Sequence, residues 1–328
     1  MIASWIVRAA AAAALAATGK PSTPGAAGGS GPPSADMAPI ACDSCEEWNR
    51  PQVPFRLFGN SSYVGVKGLS AVLIQTPAGS ILIDGGLPQS AALIADNFHA
   101  LGRRLKDVKW ILISHAHYDH VGGVAALARM SGARVAASPR AAIALRRGMV
   151  EEDDPQAGFG ERMRFPPVAN VVELRDGASV RLGGAAVTIH HTPGHTPGGA
   201  TWTWRSCEGR RCLDLVYADS LNPVSAPGFR FSATAARVRQ FESSISTVRG
   251  LKCDMLVAAH PTFTNLFEKQ AARQKEKPRK PSAAGAETDP LIDPEACRRY
   301  ADESSSKLDQ RLREELAADA STPSQPPK

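Results

Sequence analysis

The chain reads as a mixed α/β domain. Short apolar runs rich in Val, Ile and Leu alternate with longer helix-forming stretches, the alternation continues across most of the 328 residues, and only about the first forty and the last ten look unable to join a core. A middle of this length suits one large domain, drawn here over residues 41–318.

Each element has its own signal. Ser70-Ala71-Val72-Leu73-Ile74 is strand-like, and the apolar Ile81-Leu82-Ile83 runs into Asp84, a turn former or a brace for nearby loops. Residues 91–101 are helical. Trp110-Ile111-Leu112-Ile113 is bulky enough for a buried strand, and Gly122-Gly123 then opens a helix through Val124-Ala125-Ala126-Leu127-Ala128-Arg129. Ala185-Ala186-Val187-Thr188-Ile189 and Leu213-Asp214-Leu215-Val216-Tyr217 are further strands, and residues 234–249 form a helix. Met255-Leu256-Val257-Ala258-Ala259 is an apolar strand closed by Pro261. Asp293-Pro294-Glu295 starts a helix that runs toward Ala318.

The chemistry concentrates in His115-Ala116-His117-Tyr118-Asp119-His120, four metal-ligand side chains in six residues on a strand-to-helix loop. Neutral imidazole and carboxylate are ligands that Zn²⁺ favours. His115 and His117 point the same way along an extended segment and can grip one ion. Where the chain begins to curl, Asp119 and His120 face a neighbouring position, so a second ion fits ~3.5 to 4 Å from the first. His195, in the turn-rich Thr192-Pro193-Gly194-His195-Thr196-Pro197-Gly198-Gly199, and His260, at the end of an apolar strand, supply the remaining ligands.

This order of strand-end ligands resembles the metallo-β-lactamase superfamily from about Pro51 to about Tyr300. Phe58-Gly59-Asn60-Ser61-Ser62-Tyr63-Val64-Gly65, Leu82-Ile83-Asp84-Gly85-Gly86, Ala218-Asp219-Ser220-Leu221 and Ala259-His260-Pro261 narrow the resemblance to subclass B3. It implies a four-layer αββα sandwich with two zinc ions per chain. His115, His117 and His195 would hold one, and Asp119, His120 and His260 the other. The implied activity is opening of the β-lactam ring of penicillins, cephalosporins and carbapenems by a metal-bound hydroxide. Asp119 would orient that nucleophile and take its proton. Ser220 stands where the B1 relatives carry a zinc-binding Cys, so the resemblance makes Ser220 and Ser225 candidates for the substrate carboxylate. Gln156 is a candidate for the rim. A turn serine bonded to nearby backbone is the plain alternative for Ser220, and an ordinary loop residue that for Gln156. His99, His190 and His191 read as core or surface histidines.

Two other functions stay on the table. Glyoxalase-II-like thioesterases and lactonases share the ligand set but bridge their metals with an additional Asp near the Ala218-Asp219 strand end. A non-catalytic binding protein would be signalled by loss of a ligand, and all six are present.

Residues 1–19, with Arg8 and an alanine-rich apolar stretch, read as a secretory signal peptide, too short for a comfortable transmembrane span. Residues 20–40, rich in Pro, Gly, Ser and Ala, read as a disordered linker, and 319–328 as a disordered tail. The expected product is a periplasmic monomer acting on a small molecule, with no membrane insertion after cleavage. Formal charge is +6, but the basic stretch 269–280 lacks interleaved aromatics and does not point to nucleic acid. Export agrees with six cysteines, none at a metal position. The resemblance pairs Cys207 with Cys212 across a polar hairpin tip. It pairs Cys253 with Cys297, a closure that stabilises by ~4 kcal/mol in the chain-entropy treatment. Cys42 and Cys45 either pair locally or remain free; a four-cysteine zinc site fits the spacings poorly.

Overall fold

The structure, a computed structural model, describes residues 34–275 and 289–321. The expected leader at 1–19, the first part of the linker, residues 276–280 of the basic stretch and the end of the tail lie outside the described residues.

Two mixed sheets face each other. The first contains, in spatial order, β1 (Phe55–Phe58), β2 (Ser61–Tyr63), β3 (Val72–Thr76), β4 (Gly79–Ile83), β5 (Val108–Leu112), β6 (Arg134–Ala137) and β7 (Val171–Glu173). Its strands are antiparallel up to β4 and parallel from β4 to β7. The second runs β12 (Met255–Ala258), β11 (Arg211–Ala218), β10 (Ala200–Glu208), β9 (Ala185–His191) and β8 (Ser179–Leu182), with β11 and β12 parallel and the other pairs antiparallel. The helices are α1 (Cys45–Trp48), α2 (Ser90–Ala100), α3 (Tyr118–Val121), α4 (Val124–Ser131), α5 (Pro139–Arg147), α6 (Ala235–Gly250), α7 (Leu266–Lys275) and α8 (Ala296–Ser321).

Side-chain alternation builds the layers. Ile81 and Ile83 of β4 enter the core between the sheets, while Leu82 faces outward onto α2 and α4 with Ile94, Phe98 and Leu127. In β11, Leu215 and Tyr217 point inward, and Val216 and Ala218 pack with Phe241, Ile245 and Ala301 of α6 and α8. Burying each such Leu or Ile contributes roughly 1.5–3 kcal/mol. The result is the expected αββα sandwich. Two buried indoles bridge the sheets: Trp202 donates to the Ile113 carbonyl at 3.0 Å and Trp204 to Ser61 Oγ at 2.9 Å.

Disulfides join Cys207 to Cys212 across the β10–β11 hairpin and Cys253 to Cys297, 44 residues apart, so that α8 is tied to the entry of β12. Cys42 and Cys45, left open by the sequence, pair with each other.

The linker boundary needs correction. Residues 34–40 are docked, not free: Asp36 forms a two-pronged pair with Arg129 at 2.8 and 2.9 Å, and the Ile40 backbone exchanges hydrogen bonds with the Gln89 amide. Met37 and Ile40 also pack against the body. Averaged over twenty residues, the Pro and Gly content hides these few anchors. At the other end α8 runs to Ser321, past the boundary drawn at 318. Among the described residues no helix is long and apolar enough to cross a membrane.

Candidate metal centre

The six proposed ligands lie beyond strand termini on one edge of the sandwich. His115 to His120 follow β5, His195 lies between β9 and β10, and His260 follows β12. His117 is still extended (φ −103°, ψ 151°) where α3 begins, so the chain turns between it and Asp119, as the motif requires. The turn needs close backbone packing: a Cβ on Gly123 would stand 2.3 Å from the Gly85 carbonyl oxygen.

The structure brings all six side chains together. Ligand atoms of His115, His117 and His195 lie within 4.8 Å of one another, and their ring centroids are each 4.9 Å apart. Beside them, His120 Nε2, His260 Nε2 and Asp119 Oδ2 lie 3.2–3.4 Å from one another. The rings of His115 and His120, 4.2 Å apart, join the two groups. Three lone-pair atoms so close together favour a shared cation.

Outer contacts decide which nitrogen faces inward. His115 Nδ1 lies 2.8 Å from Asp219 Oδ1, and its Nε2 is buried with no hydrogen-bond partner. His195 Nδ1 is 2.7 Å from the Asn222 carbonyl, and His260 Nδ1 is 3.1 Å from the Gly68 carbonyl. His117 is reversed: its Nε2 lies 3.1 and 3.2 Å from the Asp154 carboxylate, leaving Nδ1 for the cluster. Each of these rings is held on one side by an oxygen, so its other nitrogen is fixed in place, and the orphaned His115 Nε2 is the atom a metal would satisfy. The residues fit a divalent metal.

Charge is arranged to match. Burial, reinforced by the neighbouring histidines, holds His115 well below its usual pKa and brings His195 down to about 3, so both present neutral lone pairs. At His120 burial opposes protonation, but Asp119 and Asp84 outweigh it and raise the pKa to about 10; metal uptake must displace that proton. Burial would raise the Asp119 carboxyl, yet His120 and His260 hold it well below the carboxylate range. Asp154 is likewise lowered, His117 overcoming the effect of burial.

Asp84 braces the loops. With φ 59°, a left-handed conformation that aspartate tolerates, it accepts from Ser114 N at 2.8 Å and Ser114 Oγ at 2.6 Å, and lies 2.8 Å from the Tyr217 hydroxyl. Asp219 Oδ1 also accepts from Ser220 N at 2.8 Å, and a Cβ on Gly199 would reach within 2.1 Å of Asp219 Oδ2. Asp219 thus backs His115 from behind, on the nitrogen turned away from the cluster.

The substrate-side candidates divide. Gln156 reaches the cluster, its Nε2 3.4 Å from His117 Nδ1. Ser220 is buried beside the Asp219 brace. Ser225 turns toward α8: its hydroxyl accepts from Arg311 at 2.8 Å and donates to the Ala226 carbonyl at 3.2 Å. His190 and His191 bond Thr203 Oγ1 and the Leu174 carbonyl, and His99 is exposed, all apart from the cluster.

Sequence reasoning missed Asp154. It precedes a proline in a turn-rich loop and gives no signal of its own. Replacing it by asparagine removes the charge that aligns His117, and metal affinity is expected to fall about 10- to 100-fold. Competition with a chromophoric chelator measures this directly; unchanged affinity would show that the Asp154 contact is incidental.

A sequence profile of the Metallo-beta-lactamase superfamily matches residues 64–260. Among solved structures, the Rm3 metallo-beta-lactamase is 47% identical, with a TM-score of 0.78 over 84% of this chain and 100% of that one. MEM-A1, a subclass B3 metallo-beta-lactamase from a soil metagenome library, is 45% identical, with a TM-score of 0.76 over 83% and 99%. A hydroxyacylglutathione hydrolase of Anaeromyxobacter dehalogenans (strain 2CP-C) is 31% identical over 185 residues, 56% of this chain. The chain spans little more than half, 56%, of that relative's length.

Proposed function

The chain belongs to the metallo-beta-lactamase superfamily, and from that premise we propose that it hydrolyses the β-lactam ring of penicillins, cephalosporins and carbapenems with two zinc ions. His115, His117 and His195 would hold one ion, and Asp119, His120 and His260 the other. The observation that carries the reading is the convergence of these six lone-pair groups, with the rings of His115, His117, His195 and His260 each held by an outer contact, in a chain this similar to subclass B3 enzymes.

When bound, the ions supply Lewis acidity toward the lactam carbonyl and nitrogen and lower the pKa of water from ~15.7 to about 7. The chain's own groups orient and transfer. Asp119 is only 7% exposed, and its carboxylate faces His260, whose side chain is 15% exposed; these two form the open side of the cluster, where substrate enters. There Asp119 aligns the attacking water, accepts its proton and holds it for the departing nitrogen. The Ser220 hydroxyl takes the substrate carboxylate, and Gln156 stands at the rim.

The thioesterase or lactonase alternative needs an aspartate bridging the metals. Asp219 is the residue near that place, and its carboxylate is committed behind His115 and to Ser220 N. Export to the periplasm belongs to the same proposal, supported by the three disulfides of the described residues. The protein is expected to hydrolyse imipenem, to lose that activity in EDTA and to regain it with Zn²⁺. Turnover of a glutathione thioester or an acyl lactone, with none of imipenem, would overturn the lactamase reading. Less than one zinc per purified chain, with no activity after zinc addition, would identify a non-catalytic protein.

A further inference from the structure

A groove of about 500 Å³ lies beside the metal ligands. Its walls include Tyr118, set between His117 and Asp119, and Gln156, whose amide touches His117. Trp48 and Phe159 add aromatic surface, and Trp48 also packs 5.2 Å from the His260 ring. The groove therefore begins at the cluster and leads away from it.

Its lining also carries two opposite charges. Asp43 follows Cys42 of the Cys42–Cys45 bridge, and Arg162 comes from the loop that contains Gln156. Both are exposed, and neither has an ion-pair or hydrogen-bond partner among the described residues. This sets Arg162 apart from its neighbours Arg140 and Arg164, which are paired with acids. An aromatic-walled channel with unpaired charges of either sign is built to sort ligands by charge.

We infer that Asp43 and Arg162 are specificity-determining residues that read the charge on the acyl side chain of the lactam. The inference rests on the lactam-hydrolase reading above. With the ring at the metal cluster, the side chain extends along the groove. There Arg162 favours an anionic substituent and Asp43 a cationic one, while Trp48 and Phe159 pack against an aryl group whatever its charge. No covalent step is involved; the two residues change how well the substrate is held.

Three penicillins provide the test, because they share a phenylacetyl-type side chain and differ at one carbon. Benzylpenicillin carries hydrogen there, carbenicillin a carboxylate and ampicillin an amine, which is protonated at pH 6.5, below the ~7.7 of an ordinary α-amino group. Exposed charge pairs are worth little, so the expected changes are modest. Arg162→Gln should lower the carbenicillin-to-benzylpenicillin ratio of kcat/KM by about two- to five-fold, and Asp43→Asn should lower the ampicillin-to-benzylpenicillin ratio by a similar factor. Arg162→Glu should move the carbenicillin ratio further down and the ampicillin ratio up. Added salt should shrink each effect, which a purely structural role would not produce. If all three penicillins are hydrolysed and these ratios do not move in the variants, the charge-reading role is wrong while the lactamase reading stands. If the wild-type protein hydrolyses none of them with zinc present, the lactamase reading itself fails.

Discussion

Replacing Asp119 by alanine is expected to lower kcat for imipenem by about three orders of magnitude, or ~4 kcal/mol of barrier. The residue does two things at once. Its carboxylate completes the group with His120 and His260, 3.2 and 3.4 Å away, and it is the acid nearest to where water would attack. The loss should persist at saturating Zn²⁺, because an alanine neither orients water nor accepts a proton. The trio of His115, His117 and His195 does not include Asp119, so metal content should fall by no more than one ion per chain. Steady-state kinetics together with metal analysis on the same sample checks both halves. A kcat within ten-fold of wild type would remove Asp119 from the chemistry and leave it at most a ligand.

The second large effect concerns stability. Asp84→Ala is expected to destabilise the fold by about 3–5 kcal/mol, because it leaves buried donors without their charged acceptor. The Ser114 backbone N–H, the Ser114 hydroxyl and the Tyr217 hydroxyl all converge on that carboxylate, which is fully buried. The contacts connect the end of β4 to the loop after β5 and to β11, so one side chain joins both sheets. Urea unfolding of the metal-free protein reads the effect without confusion from ligation. A change below about 1 kcal/mol would mean that water or local rearrangement replaces the carboxylate. Asp84→Asn should cost less, since asparagine also tolerates the left-handed backbone conformation found here.

The convergence of the six side chains was legible in the sequence because the motif is dense and local: four donors within six residues constrain each other, and the turn after an apolar strand sets their directions. His195 and His260 could be added because each follows an apolar strand at a turn. The outer contacts were not legible. Asp154 meets His117 from 37 residues away, and the Gly68 carbonyl meets His260 from 192 residues away, so no local pattern marks either. The setting of Ser225 was not legible for a related reason. Its hydroxyl direction is set by Arg311, 86 residues later, and not by its own loop.

The fold divides similarly. Strands with long apolar runs, such as β5 and β11, were visible, whereas β7, with three residues, and β8, with four, are too short to establish a period. Thr234, read as the first residue of a helix, is instead the cap of α6, its side chain accepting from Arg237 N.

The proposed ligand shell draws His115, His117, Asp119 and His120 from the end of a strand in one sheet, and His195 and His260 from the ends of strands in the other. Any ion seated there acts as a clasp between two halves of the sandwich that otherwise meet mainly through apolar side chains. Catalytic competence and mechanical cohesion are thereby fastened at one point, and a compound that strips the metal would loosen the protein as well as silence it.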